Sequence, residues 1–429
     1  MPEYKKKRIN RIKAGPKRIK KSRLQKDRIA EDIKMTSDIP KKPAHTSEMK
    51  VVKGKKLEQK RKMKIVLIGL SLAAVILIIL EVVLPTGIIE TFGNATVVLG
   101  SGSYPQSLDG TETLNTVSRG TYYYLLSDTC INAFSSSGKK IFSYTHGYEN
   151  PMLQTSPTRS LIYDQGAKSA SVYNLRSQIK TITTDYAIIT ADIARNGTYA
   201  IATESDTNAA TVSVYNKNGK LLYEWYSSTD MVNGLALSPN GKKLAVSTLN
   251  ADGGKFKSNL YVLEYDSATP VYSETFDDTV VYSIDNTYNS GIAVVTKNQF
   301  EFISWSHYKK KTYSNEYSAS MLRVGSGGYV VVFNRDNDPS DNRIAVFSVR
   351  GDRKGEFSYN RQITDIQISG GRIYCVSDTE AFLLDNSGNT ARKSECGFGA
   401  VRIVPTGTYS AVIASDNSIE KIQFEEVSK

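Results

Sequence analysis

Eight short apolar segments recur along this 429-residue chain at a nearly constant interval. They are Tyr122–Leu126, Ser160–Asp164, Tyr199–Thr203, Lys243–Ser247, Gly291–Val295, Tyr329–Phe333, Arg372–Val376 and Tyr409–Ile413, and their middle residues are 38, 39, 44, 48, 38, 43 and 37 positions apart. A period near 40 with a turn-rich remainder marks four-stranded blades repeated around an axis, rather than a sandwich. Beyond Leu99 the composition agrees. Apolar–polar alternation, abundant Tyr, Val, Ile and Thr, and turns such as Ser137-Gly138-Lys139, Asn218-Gly219-Lys220 and Ser387-Gly388-Asn389 describe an all-β domain. A strand precedes each recurrent segment, as in Val232–Leu237 and Ala400–Val404.

Counting predicts an eight-bladed propeller, with seven blades the alternative if the long third or fourth unit is misread. Eight sets of the first three strands are found, but only seven fourth strands, because the last set ends at Ile422-Gln423-Phe424. An unmatched edge is a pairing liability. Ala95-Thr96-Val97-Val98-Leu99 is the expected closing strand, supplied from the N-terminal side of the ring.

The run Ile65–Leu84 is uninterrupted and apolar. At about 1.5 Å per residue it spans about 30 Å, the thickness of a bilayer's hydrocarbon core. Residues 1–64 hold 24 Lys/Arg and 7 Asp/Glu, a charge of +17, whereas the remainder carries 31 basic and 36 acidic residues, a charge of −5. Positive charge beside a span stays in the cytoplasm, so the N-terminus is expected inside and the C-terminal bulk outside, in the cell membrane with one span. The segment before the run is too long for a secretory signal, and Leu84–Ile89 offers no small-x-small cleavage site. Leu84-Pro85-Thr86-Gly87 is an incomplete sorting motif at the wrong end of the chain. Glu81, one turn from the outer end, is expected to reach headgroups and water.

The expected organisation is therefore a disordered basic cytoplasmic tail (1–63), a signal-anchor helix (64–84), a linker (85–94) and an extracytoplasmic propeller (95–429). The tail has too little apolar composition to offset chain entropy, apart from a weak helical segment at 22–34. It acts as an orientation signal that can also meet acidic inner-leaflet lipids. Without interleaved aromatics it is a poor nucleic-acid partner.

The chemistry-bearing residues are sparse. His45, His146 and His307 are scattered, and there is no H-E-x-x-H, P-loop or G-x-S-x-G pattern. Cys130, Cys375 and Cys396 are an odd set in an exported domain and are read as small apolar residues. The first strands carry Asp192, Asp285, Arg323, Asp365 and Arg402, the polar lining expected of any wet propeller channel. No catalytic or metal residue is assigned and no cofactor is expected.

Two segments carry a resemblance. Leu235-Ala236-Leu237-Ser238-Pro239-Asn240-Gly241-Lys242-Lys243-Leu244-Ala245-Val246 resembles the S-P-D/N-G…L-A-V segment of WD40-like and TolB-like propellers. Val214 to Trp225, with Gly219-Lys220 before a strand ending in Trp225, resembles a blade of the quinoprotein-like (PQQ-like) propellers. The plan of basic tail, single anchor and eight-unit ring is similar to a bacterial family of membrane-anchored propellers without an assigned activity. The resemblance implies a fold, and for quinoproteins a cofactor or calcium site over the central channel. The leading functional expectation is a non-enzymatic module of the cell envelope that binds a protein or glycan. The alternatives are an extracytoplasmic enzyme or quinone-cofactor protein, and a sensor coupled to a cytoplasmic partner of the tail.

Overall fold

The computed structural model describes residues 48–83, 88–110, 112–286, 290–377, 379–385, 390–397 and 399–426. Within them lie eight antiparallel sheets, each built mainly of four strands in sequence order. Blades 1 to 8 occupy residues 113–145, 151–183, 188–227, 231–277, 281–314, 318–359, 365–395 and 402–423. The first strand of each blade lies against that of the next. Arg402–Gly407 of blade 8 lies against Thr113–Ser118 of blade 1, so the ring closes with eight blades.

The strand order explains why one segment per unit stood out. A blade's second strand is covered on both sheet faces by its neighbours, so it reads as a continuous apolar run. Tyr122–Ser127 and Gly291–Thr296 are buried at every position. Fourth strands, on the rim, alternate instead: Gln178–Thr183 and Leu221–Ser227 are exposed at every second residue.

There is no single core. Eight apolar clusters fill the eight gaps between adjacent blades. The seam between blades 8 and 1 packs Tyr123, Leu125 and Phe134 against Val404, Val412 and Ile419, with Leu108 inserted among them.

The closing strand is not Ala95–Leu99. Ile88–Val98 forms a helix, α2, and the fourth strand of blade 8 is Gln106–Ser107, paired with Ile419 and Ser418. The N–H of Leu108 then donates to the carbonyl of Asn417 at 2.8 Å. β-branched residues give Ala95–Leu99 a strand-like composition, but Val97 and Val98 are apolar on one helical face and pack on the cluster of blades 1 and 2. The expected linker 85–94 is thus helical from Ile88, and its first three residues lie outside the described ones. The chain reaches blade 8 by crossing blade 1 at the turn Ser137-Gly138-Lys139. Gly138 has φ +86°, and a Cβ there would sit 2.7 Å from the Ser103 carbonyl oxygen.

A fifth strand was not foreseen. Glu425–Glu426 pairs with the outer strand of blade 7, placing Glu426 opposite Arg392 and Glu425 opposite Lys393.

Glu48–Val83 forms a separate helix, α1, so residues 48–63 of the expected disordered tail are helical. Residues 1–47, with His45 and the helical expectation at 22–34, lie outside the described residues. Within α1, Gln59–Ile79 is long and apolar enough to cross a membrane, and its large side chains are exposed.

Candidate functional site

The first strands end at one mouth of the central channel, where a funnel of about 420 Å³ is lined by residues of all eight blades. Its charged groups come from the ends of first strands and from the turns after them: Arg119 of blade 1, Asp192 and Arg195 of blade 3, Asp285 of blade 5 and Arg323 of blade 6.

Most of these groups hold blades together. Asp192 Oδ2 accepts the N–H of Leu237 in blade 4 at 2.6 Å. Its burial pushes the carboxyl up to about 6, against the pull of the Leu237 and Ile193 backbone bonds. Asp365 is fully buried in blade 7. Its Oδ1 accepts Nε and Nη2 of Arg323 in blade 6 at 3.1 and 2.9 Å, and its Oδ2 accepts the Ile403 N–H of blade 8 at 3.2 Å. Arg402 donates from Nε and Nη2 to the carbonyl of Leu114 in blade 1, at 3.2 and 2.6 Å. Arg119 bonds to Thr155 of blade 2, while its buried Nε has no partner.

Of the five polar first-strand residues singled out in the sequence, the structure therefore joins Arg323 with Asp365 and brings Asp192 and Asp285 into one funnel. Arg402 works at the blade 8–blade 1 seam. Asp285 opens to the channel yet is walled by protein. Loss of solvent and then the charge of Asp192 push it up to about 7.

Both aspartates lie above the value of about 3.9 for an unfolded chain, so the folded state holds their protons more tightly. Stability is then greatest below about pH 4 for these groups and falls as the pH rises through about 6 and about 7. Asp285→Asn is expected to stabilise the protein at pH 8 by about 1 kcal/mol, channel water screening the rest, and to change little at pH 4. Thermal melts at the two pH values check this. Equal melting of variant and parent at pH 8 contradicts it.

The described histidines, His146 and His307, lie outside the funnel lining. The Tyr148 N–H donates to His146 Nδ1 at 3.1 Å, so Nε2 carries the hydrogen that points to the Ser127 carbonyl at 3.1 Å. Burial lowers its basicity. His307 is exposed. Among the described residues no three His, Cys, Asp or Glu side chains are grouped as metal ligands, and all three cysteines are free thiols.

One element at this mouth was missed in the sequence. Helix α2 lies on the turns of blades 1 and 2 at the funnel end. Glu90 pairs with Arg159 at 2.9 Å, the Asn94 side chain donates to the Thr158 carbonyl at 3.0 Å, and Arg176 donates to the Gly93 carbonyl at 2.9 Å. Lys139 Nζ donates to the carbonyls of Val97 and Leu99, at 2.9 and 2.7 Å, the last turn of a helix favouring a cation.

Residues 102–424, the entire ring, match the model of a family described as "Family of unknown function (DUF5711)". The chain belongs to this family. Among curated proteins none matches the DUF5711 sequence. Among solved structures, BamB from Moraxella catarrhalis aligns with 76% of this chain and 99% of its own, at 12% identity and a TM-score of 0.51. The Cps50 (Swd1) β-propeller domain of Myceliophteria thermophila aligns with 63% of this chain and 95% of its own, at 10% identity and a TM-score of 0.48. At 12% identity the likeness to BamB shows the propeller fold alone.

Proposed function

We propose that this DUF5711 chain is a membrane-tethered, extracytoplasmic propeller that works by binding: a non-enzymatic module of the cell envelope for a protein or a glycan. The observation that carries this reading is the commitment of four of the five charged first-strand residues. Asp192, Arg323, Asp365 and Arg402 are bonded across blade boundaries, so they stiffen a rigid ring rather than converge on one reacting atom. The mouth presents short polar side chains such as Ser326 and Ser369 beside the exposed Arg195 and Asp285. Charge placement supports the topology, with the basic segment inside and the propeller outside. Under this reading the tail sets orientation, and a tail partner is not required.

A photo-crosslinking residue at Ser326 or Ser369 of the full-length protein in cells tests it. The binding reading expects a discrete macromolecular adduct that the same residue at Asp416, at the other end of the ring, does not give. If no rim position gives an adduct, while the purified protein is stabilised by a small molecule in a thermal-shift assay, the reading fails. One observation favours an acid–base enzyme as a second reading: Asp192 and Asp285 share the funnel with both carboxyls raised toward neutrality. Loss of the small-molecule effect in Asp285→Asn would support that alternative.

A further inference from the structure

The loops of the ring divide by charge. The turns joining first to second and third to fourth strands all lie at the funnel end. In them stand ten Lys or Arg and three Asp. Arg119, Arg159, Arg195 and Lys242 follow first strands; Lys139, Arg176, Lys217, Lys220, Lys309 and Arg350 follow third strands. The loops at the opposite end, among the described residues, hold three Lys or Arg and twelve Asp or Glu, among them Glu149, Asp206, Asp230, Asp278 and Asp416. A domain whose net charge is negative therefore shows one basic end and one strongly acidic end.

The basic end is also the end that carries α2. Lys139, Arg159 and Arg176 are engaged in holding that helix. Arg195, Lys220, Lys242, Lys309 and Arg350 are exposed around the rest of the rim. Helix α2 begins five positions after Val83, the last residue of the apolar helix. Five extended steps cover at most about 17 Å. A chain that leaves a bilayer at Val83 must therefore meet the propeller close to the membrane, and it meets it at the basic end.

We infer that the funnel end is a docking surface for anionic lipid headgroups of the membrane that anchors the chain, so that the propeller rests basic end down with its acidic end facing away. This rests on the tethered reading proposed above. The physics is charge complementarity at short range: each basic residue held near an anionic surface contributes about a fivefold bias, screened by salt, and the tether keeps the surface within reach. Acidic loops against the same surface would be repelled. A macromolecular partner of the funnel would then approach along the membrane plane or be embedded in it.

The test uses full-length protein reconstituted into nanodiscs of neutral lipid, or of neutral lipid with about one-third phosphatidylglycerol. Spin labels are placed through Lys242→Cys or Asp416→Cys, with Cys130, Cys375 and Cys396 replaced by Ala or Ser. Contact is read as relaxation by a nickel-chelating lipid. In anionic discs the label at 242 is expected to relax strongly and the label at 416 weakly. The quadruple change Lys220→Glu, Arg195→Glu, Lys309→Glu, Arg350→Glu, or raised salt, is expected to abolish the difference, with the melting curve of the ring retained. Equal relaxation at both positions in anionic discs, or no response to the quadruple change, overturns the inference. Extraction of the parent chain from membranes by alkaline carbonate is a separate failure, because it removes the tethered reading itself.

Discussion

Asp365→Ala is expected to be among the most damaging single changes in the ring, lowering unfolding free energy by about 3–5 kcal/mol. The carboxylate is fully buried and its bonds reach three consecutive blades, from Arg323 in blade 6 to Ile403 in blade 8. Its removal strands the Ile403 N–H, a loss of about 1–3 kcal/mol. It also leaves the Arg323 guanidinium without its counter-charge. That side chain keeps 30% of its surface exposed to the funnel, so water recovers part of the loss and the effect should fall toward the lower end. Asp365→Asn retains an acceptor for Ile403 and should cost about half as much. Urea unfolding of the detergent-solubilised protein checks the order Ala, then Asn, then parent. Equal midpoints for Ala and parent would remove Asp365 as an inter-blade tie.

Leu108→Ala is the second large effect, expected to cost about 2–5 kcal/mol. Leu108 follows the two-residue closing strand and is only 8% exposed in the seam between blades 8 and 1. The backbone pairing that closes this blade amounts to Gln106 and Ser107 on Ile419 and Ser418, extended by the Leu108 N–H. The leucine is therefore the main apolar weight holding the closure. A looser closure exposes the third strand's edge at Ser418–Ile419, beside the already open Glu420–Gln423, to protease and to other chains. The contrasting change Glu90→Ala loosens α2 but leaves the ring closed, and should cost about 1 kcal/mol. Limited proteolysis separates them. Leu108→Ala is expected to be cut near the chain's C-terminus, and Glu90→Ala near α2. Indistinguishable cleavage patterns would contradict the role given to this closure.

The blades were legible in the sequence because their second strands are apolar on both faces, as Tyr122–Ser127 and Gly291–Thr296 are. That leaves a run no alternating strand produces, and the run repeats. The closing strand was not legible. It is two polar residues, and its position follows from where the chain leaves α2 and crosses Gly138, which depends on tertiary contacts. Ala95–Leu99 misled because β-branched composition reports a preference for half-buried surfaces that a docked helix satisfies equally well. Glu425–Glu426 likewise becomes a strand only because Arg392 and Lys393 stand opposite it.

At the funnel, first-strand residues such as Asp192 and Asp285 could be listed by counting strands. Their grouping could not, because Asp365 meets Arg323 and Ile403 across blade boundaries, at registers set by the stagger of neighbouring sheets. Arg159 and Lys139 lie in turns that read as ordinary solvated loops, and only the folded position of α2 gives the Arg159 Nε and Lys139 Nζ their partners.

Side-specific labelling tests most directly the proposal that one span holds the propeller outside the membrane. Asp416→Cys is exposed on the acidic end, whereas Cys130 and Cys375 are buried. Intact cells carrying the full-length variant, with Cys396 replaced by Ser, are treated with a membrane-impermeant maleimide, and a second cysteine at Lys5 serves as the inside marker. Labelling is expected at 416 in intact cells and at position 5 only after permeabilisation. Labelling at 5 with protection at 416 would contradict it.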